Sequence, residues 1–181
     1  PNVVDTTITA NDVTSRYSDG IYTRHYGSGD VSVTSTNAAG TASVTGYNYG
    51  IRVRNAGDGA TIVTANDVSG EFSEGIFVYT GTTATSTTIT TSGTVNSASS
   101  DGIDARHYGT GDLNITATNA AGDAYVYGNA DGIYAANRGD GAVSVTADRV
   151  TGYNGNGIYV YGATGSTDAS VTVTGSVRSE N

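Results

Sequence analysis

The chain has 181 residues and a formal charge of −9, from 17 acidic against 8 basic residues, with 26 Gly, one Pro and no Cys, Met or Trp. Lys and Gln are also missing and Leu113 is the single leucine, so Thr, Ser, Val, Ile, Tyr and Gly fill the positions that a long amphipathic helix would need, and an all-β fold is expected. A disulfide framework and thiolate metal sites are excluded, the acidity argues against nucleic acid and anionic membrane surfaces, and no apolar run is long enough for a spanning helix.

With 36% hydrophobic residues, whatever core forms must be thin. The start, Pro1-Asn2-Val3-Val4, is neither an initiator methionine nor a signal peptide, and residues 6–18 (TTITANDVTSRYS) match residues 61–73 (TIVTANDVSGEFS). The chain is therefore expected to begin inside a repeat and to be a piece of a longer one.

The repeat is marked by Gly-Ile, at Gly20-Ile21, Gly50-Ile51, Gly75-Ile76, Gly102-Ile103, Gly132-Ile133 and Gly157-Ile158, in steps of 30, 25, 27, 30 and 25 residues. The first three pairs return as the last three, each 82 residues on, so that DGIYTRHYGSGD from Asp19 reappears as DGIDARHYGTGD from Asp101. A block of three units is duplicated. One domain over residues 1–181 follows, with a partial coil at 1–18 and coils starting near 19, 49, 74, 101, 131 and 156.

Each unit alternates with period two between Gly, Asn, Asp and Ser turn signals, which predicts three short strands. The first follows Gly-Ile, the second is the Val31–Thr34 type, and the third surrounds Val44 or Val68. Stacking predicts three inward ladders: Ile21, Ile51, Ile76, Ile103, Ile133, Ile158; Ile8, Val33, Val63, Thr91, Ile115, Val145, Val173; and Val13, Val44, Val68, Val95, Val126, Val150, Val177. A buried aliphatic side chain contributes about 1.5 to 3 kcal/mol, against about 1 to 2 kcal/mol to order each residue, so a single coil cannot stand alone. The expected architecture is a right-handed parallel β-helix (β-solenoid) of about six coils, 25 to 30 residues each, its hand following the crossover preference of parallel strands. At about 4.8 Å per rung it forms a rod on the order of 30 Å long. No end cap is visible, so end-to-end stacking of copies into a filament is one expectation.

The series Gly-Ile-Tyr-x-Arg-x-Tyr-Gly-x-Gly-x-Val-x-Val-Thr resembles the passenger regions of bacterial autotransporters, across residues from about Thr6 to Val177. That resemblance implies a right-handed β-helix displayed outside the outer membrane, with secretion, adhesion or surface display as its role.

Catalytic groupings are not apparent. His25 and His107 hold equivalent places three rungs apart and are expected to supply surface polarity. Most Asp residues sit beside Gly, as in Gly57-Asp58-Gly59 and Gly139-Asp140-Gly141, where turn formation explains them, and the acids are expected not to gather. The Gly-Gly-x-Gly-x-Asp calcium pattern is absent, so neither metal nor cofactor is expected.

Two outward surfaces remain. The first strand carries Tyr22, Arg52, Phe77, Asp104, Tyr134, Tyr159 in one row and Arg24, Arg54, Tyr79, Arg106, Ala136, Tyr161 in the next, extended by Tyr26 and Tyr108 on the following turn. Aromatics beside Arg suit stacking on a glycan or a protein partner. The second strand carries Thr9, Thr34, Thr64, Ser92, Thr116, Thr146, Thr174, with Thr7, Ser32, Ile62, Thr90, Asn114, Ser144, Thr172 two residues earlier. Paired threonine rows resemble the ice-binding faces of antifreeze proteins. The expectation is a non-catalytic, extracellular or cell-surface rod presenting the Tyr/Arg face, with ice binding by the Thr face as the alternative.

Overall fold

The computed structural model describes residues 4–181, so the reading of Pro1 to Val3 lies outside the described residues. It contains eighteen strands: β1 (Thr6–Ala10), β2 (Val13–Thr14), β3 (Ile21–His25), β4 (Val31–Ser35), β5 (Ser43–Gly46), β6 (Ile51–Asn55), β7 (Thr61–Ala65), β8 (Asp67–Gly70) and β9 (Ile76–Thr80) in the first half. The second half holds β10 (Thr87–Thr91), β11 (Thr94–Ser97), β12 (Ile103–His107), β13 (Leu113–Ala117), β14 (Tyr125–Gly128), β15 (Ile133–Asn137), β16 (Val143–Gly152), β17 (Ile158–Gly162) and β18 (Ala169–Ser179). No helix occurs among the described residues.

All pairing is parallel, each strand bonded to its counterpart in the next coil, which makes the molecule a parallel β-solenoid. One sheet stacks β3, β6, β9, β12, β15 and β17. The other runs β1-β4-β7-β10-β13-β16 and returns β16-β14-β11-β8-β5-β2, with β18 on β16. That sheet turns a corner, because β16 continues without a break from the second face of its coil into the third.

The interior consists of like residues stacked on like. Ile51, Ile76, Ile103 and Ile133 are fully buried in the first ladder, and Val44, Val95, Val126 and Val150 in the third. Both ladders have the expected register. The second ladder differs at two rungs: Ile89 and Val171, in place of Thr91 and Val173, align with Val63, Ile115 and Val145. The preceding turns, residues 81–86 and 163–168, have six residues against five in turns 26–30, 56–60, 108–112 and 138–142, whereas the sequence register required about eight. Period-two alternation is unchanged by a slip of two, so TTITT and ASVTVT fit either register.

The differing coil lengths are taken up mostly at one corner. Loops 36–42 and 118–124 occur in the two long coils, whereas Asn66 alone links β7 to β8 and β16 needs no link at all. Each long loop turns through a glycine in the left-handed region, Gly40 at φ 70° and Gly122 at φ 71°. Asn37 and Asn119 fold over them, their Oδ1 atoms accepting the Thr41 and Asp123 amides at 2.9 and 3.1 Å.

Aspartates in the turns or at a strand start fasten one coil to the next. Asp30 Oδ1 accepts the Ala60 amide at 2.8 Å, Asp67 Oδ1 the Thr94 amide at 2.6 Å, and Asp112 Oδ1 the Ala142 amide at 2.9 Å. Much of the chain's acidity thus serves inter-coil hydrogen bonding.

Candidate functional site

The six-stranded sheet presents the Tyr/Arg rows in the register read from sequence: Tyr22, Arg52, Phe77, Asp104, Tyr134, Tyr159 and Arg24, Arg54, Tyr79, Arg106, Ala136, Tyr161. Strand alternation places them outward because the Ile, Val and Ala between them face the core. They are not equally accessible. Tyr22 is 48%, Tyr79 37%, Tyr159 38% and Tyr161 40% exposed, whereas Phe77, Asp104 and Ala136 are buried despite standing in outward rows.

Burial follows from mutual packing. Tyr134 and Tyr159 stack with centroids 5.0 Å apart and planes 7° from parallel, and the Arg106 guanidinium lies 5.3 Å from the Tyr134 ring. Arg52 sits 4.6 Å over Tyr49 and 5.3 Å over Tyr22, Arg24 lies 4.8 Å over Tyr26, and Arg54 lies 5.9 Å from Phe77. Tyr79 packs on Tyr108 at 5.2 Å, and Arg138 bridges Tyr108 and Tyr161 at 5.7 and 5.5 Å. Each cation–aromatic contact at such a surface is worth on the order of 0.5 to 1 kcal/mol, and together they hold the rings as a rigid platform. Tyr26 and Tyr108 join the face as expected; Tyr49 and Arg138 were not read from the sequence. Tyr49 stands just before Gly50-Ile51, where Asp19, Glu74, Asp101 and Asp131 stand in other coils, and that substitution was its signal.

The expectation that acids do not gather is corrected. Glu74, Asp101 and Asp104 place carboxylate oxygens within 4.8 Å of one another at the edge of this face. Asp104 is buried and chelated by Arg106, Nε to Oδ1 at 2.9 Å and Nη2 to Oδ2 at 2.7 Å. Burial pushes the Asp101 carboxyl up to about 6, its acceptance of the Asp131 amide works the other way, and the charges of Asp104, Asp131 and Glu74 push it further up. Burial also raises Asp104, against the pull of Arg106. Separation in sequence hid the cluster: Glu74 and Asp101 meet because both precede a Gly-Ile, and Asp104 lies on the outward row beside them.

The histidines are corrected too. His25 and His107 lie inside the coil, 2% and 0% exposed, with Nδ1 against the hydroxyls of Thr6 at 2.9 Å and of Thr80 at 2.7 Å. Neither belongs to an outward surface.

On the second face, the register shift redistributes the threonines. Thr9, Thr34, Thr64, Thr90, Thr116, Thr146 and Thr172 form a single row in which every rung is threonine. Thr90 and Thr172 thus move from the second row into the first, displacing Ser92 and Thr174. Thr174 instead donates to Asp148 Oδ1 at 2.6 Å. The neighbouring row is mixed: Thr7, Ser32, Ile62, Thr88, Asn114, Ser144 and Ser170. The third face carries a shallow trough lined by Ser43, Thr45, Asp67, Ser69, Thr94 and Asn96, without an aromatic platform among them.

Compared with protein-family models, curated proteins and solved structures, the chain finds no match.

Proposed function

We propose that the chain is a non-catalytic, extracellular or surface-displayed rod whose six-stranded sheet binds glycans or protein partners through its Tyr/Arg rows. The observation that supports this most is the rigid aromatic platform left open to solvent, with Tyr22, Tyr26, Tyr159 and Tyr161 each at least 38% exposed. Exposed aromatics held by stacking lose little conformational freedom on binding, and a repeated face multiplies weak contacts through avidity. The likeness of the repeat to autotransporter passengers agrees with such a role. Replacing Tyr134 and Tyr159 together by Ala removes the stacked pair; binding to an array of glycans and to cell-surface extracts should fall about tenfold or more. Unchanged binding by a folded double variant refutes the assignment.

Ice binding is a second reading, favoured by the uninterrupted threonine row, which is more regular in the structure than in the sequence register. Threonine is also a good exposed strand residue, so the test is made on the row itself. Thermal hysteresis measured on the wild type and on a Thr64→Tyr, Thr146→Tyr variant separates the readings. Hysteresis that the variant loses moves the function to the threonine face, and its absence in the wild type removes the ice reading.

A further inference from the structure

The duplication supplies an internal comparison. With the 82-residue offset, Tyr22, Arg24, Arg52 and Arg54 correspond to Asp104, Arg106, Tyr134 and Ala136. At these four positions the second block has a single arginine, Arg106, and it is matched by a carboxylate of the protein itself, Asp104, gripped through Nε and Nη2 of Arg106. In the first block the carboxylate is replaced by Tyr22 and two further arginines are added.

The three arginines of the first block have no carboxylate within hydrogen-bond reach. Arg24 and Arg54 are direct neighbours across β3 and β6, and like charges facing one another across a ladder are unfavourable. Arg52 is two residues from Arg54 on the same outward face, and its ion pair with Asp19 is long, 3.6 Å, too far for a hydrogen bond. The Nε atoms of Arg52 and Arg54 are buried without a hydrogen-bond partner. Three guanidinium groups therefore share one distant carboxylate, on a molecule whose net charge is −9. Each of the three lies over an aromatic ring, Arg24 over Tyr26, Arg52 over Tyr22 and Arg54 over Phe77, with Tyr22 and Tyr26 open to solvent.

We infer that Arg24, Arg52 and Arg54, with Tyr22 and Tyr26, form a subsite for the carboxylate of an acidic sugar, the ligand supplying from outside the carboxylate that Asp104 supplies in the second block. This rests on the glycan-binding reading of the face and names the ligand class for one half of it. The planar fork of arginine matches a carboxylate with two parallel hydrogen bonds, while a tyrosine ring accepts the apolar side of a sugar. A glycan of low charge density fits better than a dense polyanion, because the acidic remainder of the rod repels the latter.

The test uses the full 181-residue chain and three immobilised oligosaccharides, alike except for an end unit of glucuronic acid, glucose or sulfated glucose. The wild type should retain the glucuronic acid form about tenfold more tightly than the glucose form at low salt. The preference should vanish in Arg24→Ala, Arg54→Ala. It should vanish also in Tyr22→Asp, which keeps every arginine but installs the internal carboxylate found in the second block, while Tyr22→Phe should preserve it. Circular dichroism confirms that each variant is folded. Equal retention of acid and glucose ends, a stronger hold on sulfate than on glucuronic acid, or a preference that survives Tyr22→Asp overturns the subsite. The two proposals fail separately. If Tyr134→Ala, Tyr159→Ala weakens all three sugars but the wild type shows no acid preference, the wider face stands and the subsite falls; a preference with no effect of that variant gives the reverse.

Discussion

At the inward end of the first strand the first five coils carry a polar side chain, His25, Asn55, Thr80, His107 and Asn137, and the sixth carries Gly162; aliphatics there would leave the following turn unsupported. Asn55 and Asn137 solve this by accepting the amides of Gly57 and Gly139 at 2.9 Å and donating to the carbonyls of Gly59 and Gly141. His107 solves it differently, with Nδ1 at 2.7 and 2.9 Å from the hydroxyls of Thr80 and Thr87 and Nε2 without a partner. A neutral ring can leave Nε2 as a bare acceptor, but a protonated ring makes it a buried donor with nothing to receive it. Burial accordingly holds the His107 pKa below its ordinary 6.5, with Asp112 opposing weakly. The unfolded chain then binds a proton that the fold resists, so His107 leaves stability intact above pH 6.5 and lowers it as pH falls from there toward the folded pKa. Thermal unfolding followed between pH 8 and pH 5 should show a smaller acid loss in His107→Asn than in the wild type; parallel pH profiles would contradict the account. Thr91 makes a simpler case. Its hydroxyl is buried without a partner in a column otherwise filled by Ala10, Ser35, Ala65, Ala117, Ala147 and Val173, and Thr91→Val should stabilise by about 1 kcal/mol in denaturant unfolding.

Among the elements, the corner beside loop 118–124 gathers three hydrogen bonds on one carboxylate. Asp148 accepts from Thr174 Oγ1 at 2.6 Å, from the Asn119 amide at 3.0 Å and from the Ala124 amide at 3.3 Å, and these bonds, the Thr174 hydroxyl foremost, hold its carboxyl below the usual range. Its counterpart in the first block is Asn66, which receives the Asn37 amide at 3.3 Å and donates to Ser92 at 2.6 Å. Asp148→Ala should therefore cost about 2 kcal/mol and loosen the loop to hydrogen exchange, while Asp148→Asn should cost less because an amide already does this work at Asn66. A depressed carboxyl stabilises above its unfolded pKa of 3.8 and loses that effect as pH falls through the folded value, so the Asp148→Ala deficit should shrink in strong acid. Equal stability of the three proteins at pH 7 would mean that the corner is held by its backbone alone.

For the whole molecule, the solenoid, its duplicated block and two of three core ladders were legible because Ile and Val recur at fixed distances from Gly-Ile. The second ladder went astray at β10 and β18, where threonine alternates with aliphatics so evenly that a two-residue slip leaves the pattern intact. Burial of His25 and His107 was written in the alternation after Ile21 and Ile103 and was obscured by treating imidazole as a surface group. The rows of the Tyr/Arg face were legible, but its accessibility was not, since Phe77 packs against Tyr49 of the preceding coil and Asp104 is gripped by Arg106 of its own strand. The Glu74, Asp101 and Asp104 cluster required stacking to become visible at all.

The 82-residue offset bears on heredity as much as on packing. Were gene copies to recombine out of register at stretches as alike as those from Asp19 and from Asp101, the crossover would remove or insert one whole block. The product still sets Ile on Ile and threonine on threonine, since the block boundary falls at equivalent points of the coil. Such a gene can lengthen or shorten its rod by three rungs at a time, about 14 Å, without passing through a misfolded ancestor.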